Sequence, residues 1–355
     1  MQLHTSLCDT LQIKYPIIQA GMAGGPTTIE LVVSVCEAGG LGTLGAAYMS
    51  PNDMRMAIRK IKEQTKRPFA VNLFATSMKD DLTNIENGQS VLNSIRQVLK
   101  LPDGSLHVQT KDDTDEQFSI LLEENVPIIS TAFGLLTKKQ MTLVKQQHSK
   151  VTAMVTTVSE ALLAEANGVD VIVAQGSDAG GHRSTFDLTN HPYGATIGTF
   201  SLVPQVVDAV NIPVVASGGI MDSRGLRAAL ALGASGVQMG TQFLTTIESG
   251  AHPAYQQALL NSNEESTVVT KSFSGRPARG IKNKFIKEFE AQKVAPLPFP
   301  TQNTLTSDIR KAAASQHNSE YMSLWAGQGT RLLMNQRHAK EVIEHMIAGF
   351  ESQEK

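Results

Sequence analysis

Apolar and polar positions along this chain follow two alternating rhythms. Short, β-branched apolar runs read as buried strands, and the stretches between them carry apolar residues at helical spacing. The first run covers residues 15–20 and ends at Gly21-Met22-Ala23-Gly24-Gly25. Thr27 or Thr28 is placed to cap a helix reaching about residue 38, where Gly39-Gly40 stops it. A second strand is expected at 41–45. Ser50-Pro51 then opens a helix whose apolar positions Met54, Ile58 and Ile61 share one face. Residues 68–74 form a third strand. After Phe74 the rhythm breaks: residues 75–112 are polar, with two acidic-rich patches, and read as an inserted excursion with a helix near 90–99. A helix at 114–124 restores the rhythm. Strands are expected at 127–131, 151–156, 170–174, 212–216 and 235–240, with helices at 137–148, 159–167, 202–210 and 223–232 between them.

Strands that alternate with helices imply a parallel sheet. Eight such units in about 250 residues point to an α/β fold of the (β/α)8 barrel class. The eighth helix is expected at the end of the chain, where Val342, Ile343, Met346, Ile347 and Phe350 make one apolar stripe. On this reading residues 1–244 and 336–355 form the barrel, with the insertion at 75–112. Residues 245–335 form a smaller, mostly helical segment that covers substrate at the barrel mouth. The competing doubly wound open sheet lacks G-x-G-x-x-G after the first strand.

Composition narrows the partners. Lys plus Arg number 31 and Asp plus Glu 33, a net charge of −2, which gives no bulk attraction for nucleic acid or an anionic membrane. No run of about 18 apolar residues suggests a membrane span. Met1-Gln2-Leu3-His4-Thr5 does not open like a signal peptide. Cys8 and Cys36 have neither metal spacing nor a disulfide framework, which fits a reducing cytoplasm. The expectation is a cytoplasmic protein acting on a small molecule, as monomer or homodimer.

In a barrel the chemistry sits at the carboxyl ends of the strands. Here those ends carry Met22 and Ala23, Asn72, the loop from Gln175 to His182, Ser217-Gly218-Gly219, and Gln238-Met239-Gly240-Thr241. The last two groups follow strands seven and eight, where barrel enzymes commonly bind phosphate through backbone amides. Asp222 reads as the cap of the following helix. Asn72 and Gln175 can both donate and accept hydrogen bonds. That suits the edge of a heterocycle, and it suits equally a satisfied amide inside the barrel. His182 follows the paired glycines Gly180-Gly181, and histidine is the side chain most easily poised to exchange protons near neutral pH. His4, His107, His148 and His338 read as surface residues. No lysine stands at a strand end to form a Schiff base, and no cluster has metal-ligand spacing. A redox cofactor with a phosphate tail explains this mouth better than hydrolysis does.

Several motifs together resemble the nitronate monooxygenase family, formerly called 2-nitropropane dioxygenase. They are Pro16-Ile17-Ile18-Gln19-Ala20-Gly21-Met22-Ala23-Gly24, Gly39-Gly40-Leu41-Gly42, Asp178-Ala179-Gly180-Gly181-His182, Ala216-Ser217-Gly218-Gly219-Ile220 and Gly236-Val237-Gln238-Met239-Gly240-Thr241. Ser274-Gly275-Arg276-Pro277-Ala278-Arg279-Gly280 and Trp325-Ala326-Gly327-Gln328 extend the resemblance over nearly the whole chain. It is similar to the bacterial class with a Gly-Gly-His loop, although that family often has Glu where Asp178 stands.

The resemblance implies an FMN-dependent barrel that oxidises alkyl nitronates, propionate 3-nitronate foremost, with dioxygen to carbonyl compounds plus nitrite or nitrate, a detoxification role. It implies that Asn72, Gln175, Gly180, Gly218, Gln238, Met239, Gly240 and Thr241 contact FMN, and that His182 is catalytic; Met22, Gly181, Ser217 and Gly219, at the same strand ends, are expected to join the cofactor site. His182 could bind the nitronate oxygens, preferably as imidazolium, or take a proton from a neutral nitroalkane. Lys271, Arg276, Arg279, Lys282, Lys284 and Lys287 form a basic run, either an attraction for an anionic substrate or a solvated face. A flavin-dependent enoyl-acyl-carrier-protein reductase shares the fold and the Gly-Gly-His loop and is the alternative activity. A non-enzymatic flavin-binding role has no separate support in the sequence.

Overall fold

A computed structural model describes residues 3–334 and 337–352, and the expectations tied to residues 1, 2, 335, 336 and 353–355 fall outside them. The apolar runs become parallel strands β1 (Ile17–Gln19), β2 (Thr43–Gly45), β3 (Ala70–Phe74), β4 (Ile128–Ala132), β5 (Lys150–Val155) and β6 (Val171–Gln175). After the two-residue strand β7 (Gly181–His182) come β8 (Val214–Ser217) and β9 (Gly236–Met239). Without β7 the eight pair in the order β1-β9-β8-β6-β5-β4-β3-β2. A parallel bridge between Ile18 and Leu41 closes the ring, with Leu41 N donating to Ile17 O and Gln19 N to Leu41 O, each at 2.9 Å. This is the expected (β/α)8 barrel.

Residues 6–11 are too few to show a helical period, yet they form the helix Ser6–Leu11. Its Leu7 and Leu11 pack with Ile18, Leu41, Ala70, Ile128, Val171 and Val215. Those residues sit at or near the starts of their strands, so the helix plugs the amino-terminal end of the barrel and leaves the other end for chemistry.

The helix starts follow the capping residues. Thr28 accepts from Leu31 N, Ser50 from Asp53 N with Pro51 in the first turn, and Asp222 from Arg224 N. Helix Ala339–Ser352 buries Val342, Ile343, Met346 and Phe350 between helices Ser223–Ala231 and Ile29–Glu37. It thereby completes the outer ring where the last strand meets the first.

A second apolar cluster lies beside the barrel. Helix Ile85–Val98, from the 75–112 excursion, contributes Leu92 and Ile95, which join Leu259, Phe285, Phe289 and Ile309. Arg96, 2% exposed, ties this helix to helix Ser307–Ser315 through Asp308, with Nε 2.8 Å from Oδ2. The segment from 245 to 335 also holds a hairpin that the sequence reading did not contain, β10 (Thr267–Thr270) with β11 (Ala278–Ile281). It adds to β7 as an antiparallel sheet, Ala278 opposite His182 and Arg279 opposite Gly181. This pairing brings the Ser274–Arg276 turn to the barrel mouth.

Candidate active site

Strand β6 runs directly into the loop that carries His182. Gln175, 4% exposed, turns its amide onto that loop: Nε2 donates to His182 O and Oε1 accepts from Ser184 N, both at 2.9 Å. Asp178 Oδ2 accepts from Thr199 N and Oγ1 at 2.8 and 2.6 Å. Burial opposes the ionised Asp178, but the Thr199 bonds outweigh it and hold the carboxyl below its usual range. Arg183 is fully buried and donates to the carbonyls of Gly176, Gln175 and Ala195 at 2.7, 2.8 and 3.2 Å. A Cβ on Gly180 would lie 2.5 Å from Ala326 C and Gly327 N, so only glycine lets that segment close over the loop.

These ties fix His182. Its Nε2 lies 2.8 Å from Ser274 Oγ, and its ring packs against Phe133 and Trp325 at centroid distances of 5.6 and 5.3 Å. Ser274 has one hydroxyl proton and two acceptors in reach, the imidazole and Arg276 O at 3.1 Å. When it donates to the carbonyl, His182 donates through Nε2 and keeps Nδ1 as the basic lone pair. Burial, then the charges of Arg276 and Arg310, push the imidazole from 6.5 down to about 3. His182 is therefore neutral at physiological pH. This corrects the preferred imidazolium reading: a positive ring would be desolvated beside two guanidiniums.

One cavity of about 490 Å3 occupies the carboxyl end of the barrel. It is lined by Met22, Ala23, Asn72, Gln175, Gly180, Gly181, His182, Ser217, Gly218, Gly219, Gln238, Met239, Gly240 and Thr241, so the fold brings all of the sequence candidates to one place. Two features fit a phosphate-tailed heterocycle. The backbone amides of Gly219, Ile220 and Thr241 have no acceptor within the chain among the described residues, and Gly219 holds a left-handed φ of 69°. The amide of Gln238, 5% exposed, also has no partner among the described residues. Asn72 Nδ2 donates to Ser130 Oγ at 3.0 Å, leaving its oxygen uncommitted on the cavity wall.

The basic run divides, and none of its six residues lines the cavity. Arg276 is 5% exposed, stacks over Phe133 with its guanidinium carbon 4.0 Å from the ring centroid, and donates to Thr185 O. Arg279 donates to Ser177 O at 2.8 Å. Lys282, Lys284 and Lys287 are exposed, as are His4, His107, His148 and His338. The lining also contains Tyr48, Phe133, Trp325, Arg310 and Lys311, which the sequence reading did not single out. Tyr48, 38% exposed, presents to the cavity a phenol that can donate a hydrogen bond.

Known proteins match along this whole frame. A family model described as nitronate monooxygenase matches residues 4–349. The probable nitronate monooxygenase of Staphylococcus saprophyticus is 43% identical over 348 residues, 98% of each sequence. Among solved structures, nitroalkane oxidase from Streptomyces ansochromogenes has a TM-score of 0.91 at 37% identity, covering 98% of each chain. FabK from Thermotoga maritima has a TM-score of 0.79 at 30% identity, covering 99% of this chain and 97% of its own. The chain belongs to the nitronate monooxygenase family of flavin-dependent oxidoreductases.

Proposed function

We propose that this protein is an FMN-dependent monooxygenase that converts alkyl nitronates, propionate 3-nitronate among them, to carbonyl compounds plus nitrite or nitrate. Its role is detoxification in the cytoplasm, as monomer or homodimer. The observation that carries the reading is that a single cavity joins two ends: amides without acceptors at the turns after β8 and β9, and a rigid, neutral His182 facing aromatic walls. The turns Ser217-Gly218-Gly219 and Gly240-Thr241 hold the FMN phosphate. Met22, Asn72, Gly180, Gly181, Gln238 and Met239 surround its ring system, while Gln175 acts on the ring through the loop it orients. FMN supplies the electron acceptor for the nitronate and the relay to dioxygen.

The chain's own residues then do three things. His182 is the catalytic residue: it touches the substrate as a neutral imidazole, donating or accepting one hydrogen bond according to which proton Ser274 leaves it. A nitronate needs no base, so neutrality costs this reaction nothing. Tyr48 donates its phenolic proton toward the anionic substrate. Phe133, Trp325 and the segment at Ala326–Gly327 exclude water from the face they cover.

Product analysis tests the reading. Aerobic incubation with propionate 3-nitronate, without nicotinamide nucleotide, should yield the carbonyl product and nitrite or nitrate, and the denatured protein should release FMN. Recovery of unchanged nitronate from the flavin-loaded protein overturns it.

A further inference from the structure

The cavity holds more positive charge than its chain-internal partners neutralise. Its carboxylate, imidazole and cationic lining comprises Asp178, His182, His252, Arg310 and Lys311. Asp178 is taken by Thr199 and His182 is neutral. His252 caps its own helix, accepting from Ala254 N at 3.1 Å. Lys311 is exposed, and Arg310, partly buried, is the guanidinium among them. Its Nη2 donates to Asn303 O and Oδ1 at 2.6 and 3.0 Å, and its Nε to Thr306 O at 3.4 Å. Every one of these acceptors is neutral, and Nη1 has no partner among the described residues. The carboxylate on the same helix, Asp308, is already engaged by Arg96. Arg310 is therefore oriented by neutral acceptors, and Asp308 reaches it by charge through space without a contact.

Its placement is as informative as its charge. Arg310 lines the same cavity as Tyr48 and His182, and its charge acts on both. Arg276 acts on the same two residues, but it does not line the cavity, its face is covered by Phe133, and its Nε and Nη2 donate to carbonyls. A desolvated guanidinium without a counter-charge is costly, and its fork of donors matches a carboxylate. One anionic centre, the nitronate, belongs at His182. A second site for an anion stands at Arg310.

We infer that Arg310 is the specificity-determining residue of this cavity, pairing with a carboxylate at the far end of the nitronate substrate. The inference rests on the nitronate reading above and deepens it. Helix Ser307–Ser315 carries Arg310, and the Arg96–Asp308 pair fixes that helix against Ile85–Val98. The selectivity of the barrel site is thus supplied by the second apolar cluster.

The test compares kcat/KM for propionate 3-nitronate and propyl-1-nitronate, measured by oxygen uptake on the FMN-loaded protein. The wild type should prefer the carboxylated substrate. Arg310→Gln should lose about 10- to 100-fold more with propionate 3-nitronate than with propyl-1-nitronate, the range of one charge-assisted pair. Most of that loss should appear in KM. Arg310→Lys, which keeps the charge without the fork, should lie between, and it serves if the Gln variant fails to fold. Lys282→Gln, an exposed lysine outside the cavity, should keep the wild-type preference. Equal losses on both substrates, an unchanged ratio in both Arg310 variants, or a collapse of the ratio in Lys282→Gln each overturn the inference while the nitronate activity stands. If the wild type oxidises neither nitronate, the proposed function fails and Arg310 has no such role.

Discussion

Replacing His182 by Asn should flatten the acid limb of the stability profile. In the unfolded chain the imidazole titrates near 6.5, whereas burial, with Arg276 and Arg310 beside it, holds it near 3 in the fold. Above pH 6.5 the ring is neutral in both states and contributes no pH dependence. As the pH falls below 6.5, the unfolded chain takes up a proton that the folded chain refuses, so stability is lost until about pH 3. At about 1.4 kcal/mol per pH unit, the full loss is about 5 kcal/mol, and the part between pH 7 and 5 is about 2 kcal/mol. The assay is urea unfolding followed by the fluorescence of Trp325, the single tryptophan. Both proteins are measured at pH 7 and pH 5 with equal excess of FMN, since ligand binding itself shifts stability. Wild type should lose about 2 kcal/mol more than His182→Asn over this interval, because other titrating groups cancel in the difference. Parallel losses in the two proteins would refute the neutral, desolvated His182 and restore the imidazolium.

Other consequences follow from single contacts. Gly219→Val must force a β-branched residue into a left-handed turn and project methyls toward the free amides; FMN affinity, read by fluorescence titration, should fall at least about 10-fold, and unchanged affinity removes the phosphate from that turn. Gly180→Ala puts a Cβ 2.5 Å from the backbone of Ala326 and Gly327, so urea unfolding should show a loss of about 1–3 kcal/mol; a neutral result means that segment does not close over the loop. The Cys36 thiol, pushed up to about 12 by burial, should resist iodoacetamide in the folded protein at pH 8 and react only in urea, and rapid native alkylation contradicts that burial.

The barrel could be read from the chain because its signals are local. Thr28, Ser50-Pro51 and Asp222 cap helices by contacts within a few residues, and the barrel strands are short, mostly buried segments. The lining residues could be found for the same reason, since the carboxyl end of a barrel strand is fixed once the strand is placed. What stayed hidden depends on distant partners. Helix Ser6–Leu11 is too short to show a period, and its place comes only from closing the barrel floor. The pairing of β11 with β7 joins positions nearly a hundred residues apart, and with it Ser274 reaches His182. Arg310 lies in a polar helix with nothing in its spacing to mark it. The basic run drew attention by density, yet Arg276 and Arg279 serve as ties to backbone carbonyls while Lys282, Lys284 and Lys287 face outward.

Oxygen uptake by the FMN-loaded protein is the most direct measurement of the activity. Addition of an alkyl nitronate alone should start dioxygen consumption, and NADH or NADPH should neither be required nor be oxidised faster in the presence of an enoyl thioester. No uptake with nitronates, together with nicotinamide oxidation that depends on the enoyl thioester, would contradict the account and assign the cavity to enoyl reduction.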